Sequence, residues 1–337
     1  MRVLSKPSTA TCTLPIYVSY LLGEPKRASC VRLGESLSIS HDSVTRMLGR
    51  ENYTPKDLFV EIMGSIVLSG GTLSVDDTVL DKPYSKLIPF VKRFWSGKHH
   101  CTVVGANLIT LFYTDINGVQ VPVNFRLYDS DDKKTKNDYF RDMVTEVLLW
   151  GLNPSWITGD SWYSGIENLN FIKNNDMGFF FAVKTNRTIL SIQNNKVAVA
   201  YLDIAEQSGA EVYLPKFGHV TVYRMRFKNE VCHYVAYAQN QEQGIPLPTS
   251  IFETLHSHHY SIEQYHRILL ICALVRRQCA KWRSASCRDP HFSACPLTNA
   301  QISKTGMSHR ALFSADEGSH FQSCLLLYLC LCAIRNG

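Results

Sequence analysis

Acidic side chains in three separate segments are the residues of this sequence that could carry metal-dependent chemistry. Asp77 follows a short strand-like run, Asp160 follows a later one, and Glu263 lies in a helical segment. Mg²⁺ and Mn²⁺ prefer oxygen ligands, and two such ions about 4 Å apart can activate a water or hydroxyl and stabilise the leaving oxygen of a phosphodiester. Many sets of three acidic residues occur in a chain of this size. Whether these three carboxylates form a metal site must therefore be judged from the sequence around them.

The first acidic position is ambiguous because two aspartates, Asp76 and Asp77, stand side by side in the segment SVDDTVLDKPYSK. Neighbouring side chains on a strand point to opposite faces, so at most one of the two can face a given pocket. We expect Asp77 to point into the pocket from the end of the strand and Asp76 to shape the turn that follows. Asp76 takes the ligand role if the strand register is shifted by one residue.

The composition favours a globular protein with a basic surface. The chain has 337 residues, of which 45% are hydrophobic and 19% charged, and its formal net charge is +6. This length suggests two or three structural units, and the charge permits a polyanionic partner. We expect no signal peptide and no membrane segment, because the longest apolar run, residues 324–334, is too short to span a bilayer. Eleven cysteines without zinc-binding spacing favour a reduced, cytoplasmic protein.

The predicted elements follow the order strand, strand, strand, helix, strand, helix over residues 57–177, which is typical of an RNase H-like α/β catalytic core. Valine and tyrosine then alternate with polar residues over 178–245, and this pattern predicts a β-rich insertion. Residues 246–276 return to a helix, which carries Glu263 and completes the core. Residues 277–337 form a divergent tail without clear periodicity.

Residues 1–56 form a small helical region ahead of the core. Apolar spacing predicts two short helices with a turn between them over residues 28–50. A DNA-binding helix-turn-helix of this kind would place Ser43 and Arg46 near a DNA groove. The alternative is a helical hairpin that packs on the main domain.

The segments around the carboxylates resemble the DDE transposases of bacterial insertion sequences, in the branch with a β-strand insertion in its RNase H-like domain (the Y-R-E-K type). The resemblance covers roughly residues 28–267, and its most specific parts are GDSWYS and SIEQYHR, in the order and separation of this family. Further similar segments, in chain order, are DDTVLDKPYSK, FWSGKHH, VPVNFRLYD, KTKNDYF and VKTNR.

This resemblance implies a bacterial cytoplasmic enzyme that cleaves DNA at insertion-sequence ends and joins them to target DNA, as a homodimer on DNA with Mg²⁺ or Mn²⁺. Matched by position, the family's catalytic, metal-binding carboxylates fall on Asp77, Asp160 and Glu263. Trp162 and Tyr163 would stack on an unpaired base, with a place in the core as the alternative. The positions suited to DNA contact are Lys136, Asn137, Trp162, Tyr163, Arg187, His259 and Arg267.

The sequence departs from the family on the helix that carries the glutamate. Where the family has a tyrosine, an arginine and a lysine, this chain has His256, His259 and Leu270. Histidine is mostly neutral at pH 7 and cannot make the bidentate contact of arginine, and leucine has no charge. Beyond Arg267 the resemblance ends, so the tail is either translated out of frame, which makes this a decayed copy, or genuinely divergent. The alternatives to an active transposase are an inactive copy that only binds DNA and a metal-dependent nuclease on the same fold.

Overall fold

The computed structural model describes residues 11–13, 16–17, 20, 29–50, 54–82, 90–97, 99–190, 195–205, 208–227, 230–239 and 245–284. The chain divides into two compact units, residues 55–266 and residues 1–54 together with 267–337. Most of the predicted tail, and with it the hypothesis about its reading frame, lies outside the described residues. The side chain of Leu270 also lies outside them.

The larger unit is a mixed α/β structure built on one large mixed sheet. Its strands, numbered in chain order, are β1 Thr72–Asp81, β2 Val91–Ser96, β3 Cys101–Thr114, β4 Gln120–Tyr128, β5 Trp156–Gly159, β6 Gly178–Val183, β7 Thr188–Leu190, β8 Lys196–Ala198, β9 Ser208–Leu214, β10 Gly218–Phe227 and β11 Glu230–Tyr237. Within the described residues these eleven strands have the order β2-β3-β1-β5-β6-β11-β10-β9-β7-β8, and β4 also pairs with β3.

The helices are divided between the two units. They are α1 Cys30–Leu37, α2 His41–Arg50, α3 Pro55–Ile62, α4 Lys136–Leu149, α5 Ile166–Asn174 and α6 Thr249–Ser284. Among the described residues, none of them combines the length and the apolar character that crossing a membrane requires.

The centre of the sheet consists of β4, β3, β1, β5 and β6. β3 runs antiparallel to both β1 and β4, whereas β5 runs parallel to both β1 and β6. Apolar residues of β1 and β5, such as Leu73, Val75 and Ile157, are completely buried, because helices must cover parallel strands on both faces. Both strands run towards the same edge of the sheet, where β5 ends at Gly159 beside Val75 while β1 continues to Asp81.

The β3–β4 hairpin turns at the Asn117–Gly118 pair, a dipeptide that is common in hairpin turns. Gly118 has a φ of +83°, which glycine adopts without a steric penalty. The Asp115 carboxylate accepts hydrogen bonds of 2.8 Å from the backbone N–H groups of Asn117 and Val119 and so fixes the turn.

The β-rich segment after β6 extends the central sheet, because β11 pairs antiparallel with β6. The alternating pattern predicted over 178–245 fails after Ala198: strand β8 ends there and a short 3₁₀ turn, Val199–Tyr201, follows it. The sequence pattern also missed the three-residue strand β7, whose length is below what an alternation can reveal.

The smaller unit contains the two short helices expected from the apolar spacing. Leu33 of α1 and Val44 and Met47 of α2 are buried together with Cys12 and Tyr17. The hydroxyl of Ser29 accepts a hydrogen bond from the backbone N–H of Arg32 and caps α1. Apolar contacts of this kind stabilise helices that are too short to persist alone.

Candidate active site

The register of two parallel strands brings Asp76 and Asp160 to one edge of the sheet. Val75 of β1 is paired with Gly159, the last residue of β5, so the next residue along each strand is an aspartate. Two positions earlier, the Thr158 hydroxyl donates to the Ser74 hydroxyl at 2.8 Å, so both side chains project from the same face. Because side chains alternate along a strand, Asp76 lies on this face and Asp77 on the opposite one.

This placement corrects the expected position of the two aspartates. The sequence predicted that the strand ends at Asp77, but β1 continues to Asp81. The neighbouring strand β5 ends at Gly159, so the sheet edge opens beside Asp76 even though its own strand goes on.

Helix α6 covers the face that carries Asp76. The Nδ1 of His266 donates to a carboxylate oxygen of Asp76 at 3.1 Å, and the Nε2 of the same ring lies 3.1 Å from the Thr110 hydroxyl. Further back along β1, the Nδ1 of His258 lies 2.8 Å from the hydroxyl of Thr72. These contacts fix both the position and the rotation of the helix over the strand.

Glu263 lies on the side of α6 that faces this part of the sheet. It is four residues after His259 and three before His266, and residues at these spacings share one helix face. Both histidines lie close enough to Asp76 to influence the pKa of its carboxyl. Glu263 is partly buried; burial raises the pKa of the neighbouring Tyr234 phenol, and the Glu263 charge adds to this rise. The structure thus places the glutamate helix against the strand that carries Asp76.

The two clustered aspartates have opposite electrostatic environments. Burial, as the larger cause, and the negative charge of Asp76, as the next one, raise the pKa of Asp160 to about 6. The 2.9 Å hydrogen bond that its Oδ1 accepts from the Trp162 N–H acts in the opposite direction. Burial also acts to raise the pKa of Asp76, but the hydrogen bond and charge of His266, together with smaller contributions from His259 and the Asp77 N–H, outweigh it, so that pKa lies below its ordinary value. Asp160 therefore carries negative charge that the surrounding protein does not fully compensate.

Asp77, on the other face of the sheet, has both of its carboxylate oxygens engaged. One oxygen accepts from the Asn107 amide at 2.8 Å and from the Lys136 ammonium at 2.7 Å. The other accepts from the phenol of Tyr163 at 3.2 Å. The expectation that Asp77 points towards the site shared with Asp160 is thus corrected, and Asp76 takes that position.

The expected DNA-contact residues of the core fall into different environments. Lys136 is mostly buried against Asp77, and Trp162 is 56% exposed. Tyr163 is completely buried, so the expectation that it stacks on a base is wrong and its alternative, a place in the core, is correct. Asn137 is partly buried and accepts a 2.8 Å hydrogen bond from the Asn168 amide. Of these residues, only Trp162 presents a large exposed ring.

Basic candidates elsewhere in the larger unit are less exposed than the sequence suggested. Arg187 is partly buried, and its Nη2 has no hydrogen-bond partner within the described part of the chain. Burial lowers the pKa of His259, although the charge of Asp76 opposes this shift. A neutral His259 offers a hydrogen bond to a phosphate but no charge.

The remaining candidates lie in the smaller unit. Arg46 and Arg267 are exposed. Ser43 is buried, and its hydroxyl lies 3.1 Å from that of Thr11 and accepts from the backbone N–H of Cys12 at 3.3 Å. Ser43 therefore serves the interior of this unit, and the expectation that it contacts DNA is corrected.

Sequence reasoning did not identify the residues that support the carboxylates. His266 forms a hydrogen bond with Asp76, and Asn107 donates one to Asp77. Thr110 contacts His266 instead of an aspartate. The segment SIEQYHR contains His266, three residues after the glutamate, and this spacing was the available signal. Asn107 and Thr110 lie on β3 opposite β1, and only the strand register brings them there.

The donor chemistry of the site suits a hard divalent cation. Asp76, Asp160 and Glu263 offer oxygen ligands, and the raised pKa of Asp160 reflects its burial together with the negative charge of Asp76, both of which a bound cation would offset. Among the described residues, no three His, Cys, Asp or Glu side chains lie close enough together to form a metal-binding group. The residue types thus fit Mg²⁺ or Mn²⁺, but the side chains would have to move closer together to coordinate the ion.

Gly159, directly before Asp160, has no room for a side chain. A Cβ at this position would lie 2.5 Å from Cε1 of Phe181 and 2.8 Å from Cγ1 of Val75. We expect Gly159→Ala to lower the free energy of unfolding by about 1–3 kcal/mol, because the buried neighbours must move. Urea unfolding measures this change, and Gly165→Ala is the matched control, since nothing lies within 4 Å of a Cβ there. Equal stability of the two variants would contradict the close packing around Gly159.

Comparison with protein-family models and with curated proteins gave no match. The solved structures that are similar to parts of the chain include a Drosophila P element transposase strand transfer complex (11% identity, TM-score 0.30), an endonuclease V from Bacillus subtilis (10%, 0.29) and a Marinitoga piezophila Argonaute in complex with guide RNA (13%, 0.24). These matches cover 57%, 68% and 54% of this chain. The chain spans about half of the transposase, nearly all of the endonuclease and a quarter of the Argonaute: 48%, 94% and 25%. All three TM-scores are below 0.5, so we draw no conclusion about this chain from these similarities.

Proposed function

We propose that this protein is a DDE transposase that cleaves DNA at insertion-sequence ends and joins them to target DNA by phosphodiester hydrolysis and transesterification. The observation that carries the proposal is that strand pairing sets Asp160 next to Asp76, whose carboxylate is contacted by His266 of the helix that bears Glu263. These are the carboxylates around which the sequence resembles that family, with Asp76 in place of Asp77.

Asp76, Asp160 and Glu263 would hold the divalent cations in this proposal. Bound Mg²⁺ or Mn²⁺ would lower the pKa of the attacking water or hydroxyl and stabilise the leaving oxygen. The chain itself keeps the ligands in position: His266 orients the Asp76 carboxylate and the Trp162 N–H orients that of Asp160. Burial of these groups also reduces competition from water for the reacting phosphate.

The strand order supports an RNase H-like core for this enzyme. Three antiparallel strands, β4, β3 and β1, are followed in the sheet by the parallel strands β5 and β6, with α4 before β5 and α5 after it in the chain. In this fold, β7 to β11 correspond to the proposed β-rich insertion between Asp160 and Glu263. Ligand sites in sheets with parallel strands commonly lie at their carboxyl ends, where Asp160 follows β5.

The proposed partners are transposon-end DNA and target DNA, bound by a homodimer in the bacterial cytoplasm. The smaller helical unit would bind DNA, with the exposed Arg46 in the contact. In the core, the Lys136 ammonium lies 5.6 Å from the centre of the exposed Trp162 ring, and Trp162 follows Asp160 by two residues. The formal charge of +6 is compatible with a polyanionic partner.

Varying the DNA tests the proposed function against its two alternatives. The purified protein is incubated with Mg²⁺ or Mn²⁺, a supercoiled target plasmid and a labelled duplex that carries the element's own terminal repeats. We expect nicks at the repeat end and labelled plasmid, whereas a duplex with scrambled repeats stays intact. Equal cleavage of both duplexes without joining identifies a plain nuclease. Binding of the repeats without cleavage identifies an inactive copy, with His259 and Leu270 as the first positions to restore.

A further inference from the structure

On the face of β1 opposite the proposed metal site, Asp77 holds a lysine from helix α4, Lys136. The Lys136 ammonium donates to Asp77 at 2.7 Å, while the Asn107 amide and the Tyr163 phenol occupy other acceptor positions of that carboxylate. The Lys136 and Asp77 side chains are only 19% and 18% exposed. Lys136 is therefore a fixed cation, unlike an ordinary surface lysine.

The local structure around Lys136 restricts it further. Lys136 is the first residue of α4, directly after Thr135, whose hydroxyl and backbone form a capping box with Asp138. The ammonium lies 5.9 Å from the centre of the Tyr128 ring and 5.6 Å from that of Trp162, distances at which a cation is attracted to an aromatic face. The backbone, the carboxylate and the two rings together determine where the ammonium lies.

The ammonium of Lys136 retains unused hydrogen-bonding capacity. A lysine has three N–H donors, and within the described part of the chain Asp77 is the acceptor that the ammonium contacts. Trp162, one of its two ring neighbours, is exposed and follows Asp160 by two residues. The free donors therefore lie near the edge of the sheet that carries the proposed site.

We infer that Asp77 is a positioning residue, which fixes the Lys136 ammonium to contact one backbone phosphate of the DNA strand at the Asp76–Asp160 site. This inference rests on the proposed function. A phosphate oxygen suits the free donors because ionised donors and acceptors form the stronger hydrogen bonds. Because Asp77 fixes the ammonium in place, the contact would set the register of the DNA strand as well as adding to the affinity.

The first test measures the salt dependence of DNA binding without metal. Binding of a labelled duplex of arbitrary sequence is followed over a range of salt concentrations for wild type and Lys136→Met. Loss of one phosphate contact should weaken binding by about tenfold and reduce the slope of log K against log salt by about 0.9. Lys216→Met, an equal change of charge at the exposed β9–β10 turn, should leave both values close to wild type.

The second test separates positioning from metal binding. We expect Mn²⁺ to raise the melting temperature of Asp77→Asn as it does for wild type, and to leave those of Asp76→Asn and Asp160→Asn unchanged. Cleavage by Asp77→Asn should fall to the level of Lys136→Met, and the double variant should be no slower than either single variant, because both lose the same contact.

The outcomes distinguish this inference from the proposed function. An unchanged salt slope in Lys136→Met shows that the lysine contacts no phosphate, and loss of the Mn²⁺ effect in Asp77→Asn shows that Asp77 is a metal ligand. Either result overturns the inference while the proposed function stands. If wild type binds neither DNA nor Mn²⁺, both are overturned. If Asp77→Asn does not fold, the salt slope of Lys136→Met still shows whether the lysine contacts a phosphate.

Discussion

Asp160→Asn should stabilise the metal-free protein by about 3 kcal/mol at pH 7. The folded state raises the pKa of Asp160 from 3.8 to about 6, and each unit corresponds to about 1.4 kcal/mol. The folded state therefore binds the proton more tightly, so the Asp160 carboxyl favours folding below about pH 4, and this contribution is lost as the pH rises to about 6. Asparagine removes the charge and keeps an oxygen that can accept from the Trp162 N–H. Melting temperatures in the presence of a chelator should rise by about 5–10 °C.

The pH dependence provides the internal control for this prediction. The difference between Asp160→Asn and wild type should fall to about half at pH 5 and vanish near pH 3, as the wild-type carboxyl becomes protonated. Asp203→Asn, which alters an exposed aspartate, should change stability little at any pH. Mn²⁺ should narrow the gap at pH 7, because it stabilises only the protein that binds it. A destabilised Asp160→Asn, or a difference independent of pH, would contradict the raised pKa that burial and the charge of Asp76 give to Asp160.

Phe252→Ala should lower the free energy of unfolding by about 3–5 kcal/mol and disrupt the proposed site from a distance. Phe252 is 5% exposed and attaches α6 to the sheet. Its ring centre lies 5.3 Å from that of Phe180, 5.3 Å from that of Tyr223 and 5.2 Å from that of Tyr234. Alanine leaves a cavity among these rings, and the helix that bears Glu263 loses one of the apolar side chains that hold it to the sheet.

Two further variants show whether this effect comes from the buried ring. Phe252→Leu fills part of the cavity and should lose less stability than alanine, whereas Glu253→Ala, at the adjacent exposed position, should stay within about 0.5 kcal/mol of wild type. Urea unfolding measures all three. A loss below about 1 kcal/mol for Phe252→Ala would show that α6 does not depend on this contact.

Local patterns were sufficient to predict several elements of this fold. Short-range periodicity or turn chemistry predicts three of them: the Asn117–Gly118 hairpin, the helix Lys136–Leu149 and the β-rich segment after residue 178. The helix of Glu263 follows for the same reason. These features depend on residues close in sequence, so the pattern contains the necessary information.

Features that depend on long-range pairing could not be predicted in this way. Whether Asp76 or Asp77 shares a face with Asp160 is determined by the pairing of Val75 with Gly159, 84 positions later in the chain (159 − 75). A shift of one residue in that register would exchange the two aspartates. The burial of Ser43 and Tyr163 likewise depends on tertiary packing, which an exposed-looking polar segment does not reveal.

Cleavage of a labelled terminal-repeat duplex by variants of the three carboxylates tests the central claim most directly. Wild type, Asp160→Ala, Asp76→Asn and Glu263→Gln are compared in Mg²⁺ and in Mn²⁺, after each has been shown to be folded and to bind the duplex. We expect metal-dependent nicking at the repeat end by wild type and a loss of at least about a thousandfold in every variant, because removal of any ligand disables the metal site. Nicking by Asp160→Ala at the wild-type rate would contradict the proposed active site.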